Sequence, residues 1–199
     1  FYVGKSNYHT FELINKWPKW EKNFLNIIGE KHSGKTHLVN IFLKKFNGIK
    51  IESSLLNDEN LKTIKPYQNI VLENLDLGVN ENLIYTLFNI IDQDNKFLII
   101  TSSKPVTEIN FQLTDLCSRT KNCLLTKIEN PDDELMFALI LKNLSDRQIT
   151  LDKKLINFII KKVERSYGKI HEFIYKIDKI SLKKKESIDF KIINEALKE

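Results

Sequence analysis

Gly29-Glu30-Lys31-His32-Ser33-Gly34-Lys35-Thr36 fits the pattern G-x-x-x-x-G-K-[ST] at every position. Upstream, Phe24-Leu25-Asn26-Ile27-Ile28 is the short apolar run of a buried strand. Downstream, Leu38, Val39, Ile41, Phe42, Leu43 and Phe46 recur near helical spacing. A strand, a glycine-bearing loop and a helix form the context this motif requires. The glycines let the backbone curl round phosphates, and unpaired N–H groups at the helix start favour an anion. Lys35 is placed to reach the β- and γ-phosphates and Thr36 to face a magnesium ion. Gly29, Glu30, Lys31, His32, Ser33, Gly34, Lys35, Thr36 and the adjoining His37 are therefore the candidate nucleotide contacts.

The rest of the chain has the bulk such a unit needs. Its 199 residues are 42% hydrophobic and 29% charged, enough for one α/β domain and a small appendage. The formal net charge of +5 is spread out, and its one run, Lys183-Lys184-Lys185, reads as the solvated end of a helix. Cys117 and Cys123 are too few for a disulfide framework and lack metal-ligand spacing, which points to a reducing, cytoplasmic setting. No apolar run approaches transmembrane length. The sequence opens on Phe1 rather than methionine and is read as lacking upstream residues. No basic reading helix is visible, which argues against sequence-specific DNA binding.

Taken in order, residues 1–7 read as a loop and His9 to Trp17 as a helix stopped by Pro18. Strands are expected at 24–28, 49–52, 69–73, 96–101 and 123–126, with helices after the motif, at 81–91 and at 113–118. Ser53 to Tyr67 reads as loop with at most one helical turn. Alternating strands and helices imply a parallel sheet covered on both faces. At Asn130-Pro131 the texture changes, with Asn130 read as a helix cap and Pro131 as its first turn. Helices are expected over 131–144, 152–163, 167–182 and 189–197, with Ile170, Phe173, Ile174, Ile177 and Ile180 as one apolar stripe. The expected division is a nucleotide-binding α/β domain over 1–129 and a helical lid over 130–199.

Glu73, at the end of the strand Asn69-Ile70-Val71-Leu72-Glu73, holds the position where an acid supports a magnesium ion. Asn74 occupies the neighbouring water-activating position, and its amide is a poor base. Binding reads as intact and hydrolysis as impaired. Thr101, Ser102 and Ser103 end the next strand, where a hydroxyl can sense the γ-phosphate or form a turn. Arg119, read as following a short helix, can act as an arginine finger. His9, His32, His37 and His171 read as unclustered, and Trp17 and Trp20 as packing residues.

Several stretches together resemble the DnaA/Hda family of AAA+ replication proteins: Phe1 to Asn7, Gly34-Lys35-Thr36-His37-Leu38, Ile99 to Pro105, Leu116-Cys117-Ser118-Arg119, and the region from Asn130 through Leu197. The resemblance implies an AAA+ core with a helical lid. It places Tyr2, Val3 and Asn7 against adenine, Glu73 in the Walker B position and Arg119 as the finger. The family's lid arginine falls on Gly168, leaving Lys169 or Arg165 as substitutes.

Within the family the chain is most like Hda, because it ends where the lid ends and its Glu73-Asn74 pair matches that branch. Only about seventeen residues separate Ile51 from Asn69, too few for the initiator's single-strand-binding insertion. Hda-likeness implies a chain that binds ADP (or ATP) and Mg2+ and works with the DNA polymerase sliding clamp. It implies that Arg119 stimulates hydrolysis of ATP bound to the DnaA initiator. It also implies self-association through AAA+ interfaces. The alternatives are an ATPase of helicase-loader or clamp-loader type, with Asp76 covering for Asn74, and a DnaA initiator fragment.

Overall fold

The computed structural model describes residues 2–76 and 79–198. Phe1 and Glu199, which the sequence reading placed in the N-terminal loop and at the end of the lid, lie outside them. The chain divides into two compact units.

The first unit holds residues 7–29 and 34–128. Its elements are α1 (Tyr8–Asn15), β1 (Phe24–Ile28), α2 (Lys35–Lys45), β2 (Gly48–Glu52), α3 (Asp58–Thr63), β3 (Asn69–Glu73), α4 (Glu81–Gln93), β4 (Phe97–Ser102), α5 (Thr114–Thr120) and β5 (Leu124–Lys127). The five strands make one sheet in the order β2-β3-β4-β1-β5. Every pairing is parallel. Every residue of β1 and β3 is buried, as expected of central strands covered on both faces. From α4, the stripe Ile84, Leu87, Phe88 and Ile91 packs into this core, and Phe24 stacks on Phe88 at 4.7 Å. Trp17 and Trp20 pack around Phe42 and Phe97, as packing residues should.

Inside β1 sits one fully buried polar residue. The Asn26 amide donates to the Ile100 carbonyl (3.2 Å) and the Ser102 hydroxyl (2.8 Å), and its oxygen accepts from Val106 N–H (3.0 Å). These bonds fix the loop after β4 against the end of β1.

The second unit holds residues 2–6, 30–33 and 129–198 of those described. Its helices are α6 (Asp133–Ser145), α7 (Lys153–Lys162), α8 (Tyr167–Lys184) and α9 (Phe190–Ala196). Ile170, Phe173, Ile174, Ile177 and Ile180 of α8 form its core with Met136, Ile140, Ile156 and Ile192. Among the described residues, no helix is long and apolar enough to cross a membrane.

Four local expectations change. The stretch 53–67 carries a 3-10 turn and then α3, started by Asn57, whose side chain accepts from Asn60 N–H. Asp132, not Asn130, caps α6 by accepting from Leu135 N–H, because a carboxylate at that position reaches the third helical residue. Arg119 lies inside the last turn of α5 rather than after it. His32 and His171 do come together, their rings stacked at 4.4 Å.

Candidate functional site

The parallel strands of the first unit end together, and in open α/β sheets ligands settle beyond such ends where strand order reverses. The chain leaves β1 for β2 at one edge and later reaches β5 on the other side, so the reversal falls at β1. The motif glycine Gly29 follows β1 directly and donates its N–H to the Ser102 carbonyl (3.2 Å). Gly34 opens α2 with φ 95°, a left-handed conformation that a side chain would strain. Lys35 is buried, and its Nζ donates to the Gly29 carbonyl at 2.7 Å. Thr36 and His37 are exposed on the first turn of α2.

Across the strand ends, Glu73 is buried and paired: its Oε2 lies 3.0 Å from Lys50 Nζ of β2. Its Oε1 is buried with no hydrogen-bond partner. A hydrated magnesium ion would be held by Thr36 and Glu73, but with Oε2 on Lys50 and Oε1 enclosed these residues fit it poorly. A bound magnesium ion supplies charge neutralisation at the phosphates.

Asn74 has φ 55°. Its amide donates to both carboxylate oxygens of Glu52 (3.0 and 3.1 Å). Its N–H donates to Thr101 Oγ1 (3.0 Å), and its carbonyl accepts from Ser53 Oγ (2.7 Å). The left-handed turn therefore spends the Asn74 side chain on the β2 end. The three hydroxyls after β4 are also engaged: Thr101 with Asn74, Ser102 with Asn26 and the Lys104 carbonyl, and Ser103 with Asp76. Each has a structural use at the strand end.

In the second unit, the motif residues Glu30–Ser33 pack with the start of α8. The Glu30 carboxylate accepts from the Ser166 hydroxyl, from Tyr167 N–H (3.1 Å) and from Gly168 N–H (3.1 Å). Ser166 is itself the N-cap, accepting from Lys169 N–H. A carboxylate at a helix N-terminus satisfies otherwise unpaired donors and the positive end of the dipole. A Cβ on Gly168 would stand 2.8 Å from Glu30 Oε1, so a side chain here would push the Glu30 carboxylate aside.

Beside the contact, a cavity of about 450 Å3 is lined by Glu30, Lys31, His32, Lys169, His171 and Tyr175, among others. Lys169 pairs with Glu172 (3.4 Å) and Arg165 with Asp133 (2.8 Å). Ser33 Oγ is buried with no hydrogen-bond partner. Tyr2 and Val3 are exposed in this unit, whereas Asn7 is buried in the first. The Tyr167 hydroxyl donates to the Glu129 carbonyl (3.1 Å). Burial, foremost, raises its pKa, with Asp132 and Glu30 adding to the rise and the Ser6 hydroxyl opposing it.

Arg119 forms an ion pair with Asp92 of α4 and lies 5.3 Å from the centre of the Tyr85 ring. Asp92 is exposed, whereas Tyr85 is half-buried against the core of the first unit. Burial pushes the Cys123 thiol up to about 12, against a smaller opposing effect of Lys22. Pulsed iodoacetamide labelling at pH 8 should modify Cys123 at least about a hundredfold more slowly in the folded protein than in urea, because only the thiolate reacts. Mass spectrometry of tryptic peptides reads this directly, and equal rates would contradict it.

Sequence reasoning missed Lys50, the capping role of Glu30 and the His32–His171 stack. Asn26 was legible as a polar residue in an apolar run. The other three depend on which strand or helix lies alongside, for which a sequence carries no local signal.

No family model matches the chain. The chromosomal replication initiator protein DnaA of Borreliella afzelii is 27% identical over 100% of this chain and 46% of its own length. The chain thus spans about half of that relative. Among solved structures, domain III of the replication initiation protein DnaA from Thermotoga maritima superposes with TM-score 0.77 at 20% identity, over 100% of this chain and 93% of that one. AMPPCP-bound DnaA from Aquifex aeolicus matches with TM-score 0.67 at 21% identity, over 89% of this chain and 63% of that one. The fold is that of an AAA+ DnaA domain.

Proposed function

We propose, for a chain with the fold of a DnaA-type AAA+ domain and similarity to DnaA initiators along its whole length, that it is a nucleotide-holding regulator of replication initiation. Gly29, Gly34 and Lys35 cradle the phosphates of ADP or ATP, Thr36 and Glu73 face the magnesium position, and turnover is left to a partner. Tyr2, Val3 and Asn7 take the adenine side. Residues 1–129 act as the nucleotide domain and 130–199 as the lid.

One observation carries this reading: the position beside Glu73 that should activate water holds Asn74, and its amide is bound to Glu52. It offers no base. The same position weighs against the helicase-loader or clamp-loader reading, since Asp76 accepts from Ser103 instead. The initiator reading is disfavoured by the segment between β2 and β3, which holds only a 3-10 turn and the six-residue α3.

Arg119 is the group offered to a partner. To act in trans on ATP held by a DnaA initiator it must leave Asp92 and Tyr85, an exchange that costs little because exposed ion pairs contribute only about 0–1 kcal/mol. The test is a hydrolysis assay with the DnaA of the same organism and DNA-loaded sliding clamp. The protein alone should turn over far more slowly than about one ATP per second. Its addition should accelerate DnaA hydrolysis, and Arg119→Ala should lose most of that acceleration while binding ADP as before. Unchanged DnaA hydrolysis with the wild-type protein would overturn the regulatory reading.

A further inference from the structure

Lys50 meets Glu73 at a place where an acid is expected to meet only a metal shell. The two face each other across neighbouring parallel strands, β2 and β3, offset by two residues in register, since Glu52 is the partner of Glu73. Lys50 Nζ lies 3.0 Å from Glu73 Oε2, and it also donates to Asn40 Oδ1 of α2 (3.1 Å). The ammonium is thus held from two sides. Glu73 is 4% exposed. A carboxylate so buried is stable as an anion only with a cation or strong donors beside it. Lys50, its side chain 34% exposed, supplies that charge from within the chain.

A divalent cation near the same carboxylate would have to share it with Lys50. Magnesium draws its hold on proteins from one or two carboxylates and keeps several waters. With Oε2 bound to an ammonium, the carboxylate has little net charge left to attract it, and the two cations repel each other. The remaining oxygen, Oε1, is enclosed.

We propose that Lys50 is a specificity-determining residue that withholds Glu73 from divalent-cation coordination, so that nucleotide is taken almost independently of magnesium. The proposal rests on the nucleotide-binding reading above. It adds that the site is tuned to hold nucleotide, metal-bound or not, rather than to build the metal-centred geometry of turnover.

The experiment has two arms. In the first, calorimetry measures ADP affinity in excess magnesium and in EDTA. The wild-type dissociation constants should agree within about threefold, and Lys50→Met should bind at least about tenfold more tightly with magnesium than without. In the second, Mn2+ binding to the nucleotide-free protein is followed by electron paramagnetic resonance. Lys50→Met should bind Mn2+ at least about tenfold more tightly than wild type, and adding Glu73→Gln should cancel the gain.

Lys50→Gln, which keeps a donor toward Glu73 without the charge, repeats both arms should Lys50→Met fold poorly. Wild-type ADP affinity that already rises tenfold with magnesium would overturn the proposal. So would equal Mn2+ affinity in wild type and the Lys50 variants. If no form binds ADP, the nucleotide reading fails, and the Mn2+ arm still decides the role of Lys50.

Discussion

Lys35→Ala should weaken ADP and ATP binding by at least about a hundredfold, with a loss of fold stability below about 2 kcal/mol. The side chain is 8% exposed, and its ammonium rests 2.7 Å from the Gly29 carbonyl at the mouth of the loop. That bond positions the ammonium at the loop, where a phosphate arriving at the α2 N-terminus would meet it. Charge-assisted bonds to phosphate are roughly twice as strong as neutral ones. A hundredfold corresponds to about 2.7 kcal/mol, the range of such a bond in a partly desolvated site. Removing the side chain also leaves Gly29 O without this donor, which accounts for the modest stability cost. Titration calorimetry and urea unfolding give the two numbers separately. Affinity within tenfold of wild type would remove the loop as the phosphate site.

The second large effect concerns α8. Glu30→Ala should cost about 2–3 kcal/mol, because three donors at the helix start lose one acceptor. Those donors are the Ser166 hydroxyl and the Tyr167 and Gly168 amides. Gly168→Arg, which restores the arginine that the resemblance leads one to expect there, should cost less, about 1 kcal/mol, because the Glu30 carboxylate end can shift, and should not improve nucleotide affinity. Its Cβ would lie 2.8 Å from Glu30 Oε1 and displace the carboxylate. The double variant should be less destabilised than the sum of the singles, since with the carboxylate gone the arginine has room. Chemical denaturation of the four proteins completes the cycle. Additivity within about 0.5 kcal/mol would mean that the two residues do not act on each other.

Glu30 and Gly168 also show where sequence reasoning runs short. Seen alone, Gly168 is a lost arginine. Beside Glu30 it is a glycine whose missing side chain leaves room for a neighbouring carboxylate. Lys50 follows the same logic: it was an ordinary lysine in an alternating strand until β2 and β3 paired and placed it on Glu73. Asn74 was legible as a poor base from its amide alone. That its amide is held by Glu52 depends on a left-handed turn after β3.

By itself the sequence determined the elements and their class. Apolar runs of strand length, helical stripes and the Gly29–Thr36 motif are local patterns, fixed by backbone geometry and the need to bury apolar surface. The parallel α/β core, the helical region and the candidate phosphate loop all follow from them. Only the tertiary structure decided the strand order, and with it which charged groups meet. Parallel crossovers bring together residues far apart along the chain. Glu73 with Lys50 is a product of that strand pairing, while Glu30 with the start of α8 and Arg119 with Asp92 come from loop and helix packing that likewise joins residues distant in the chain.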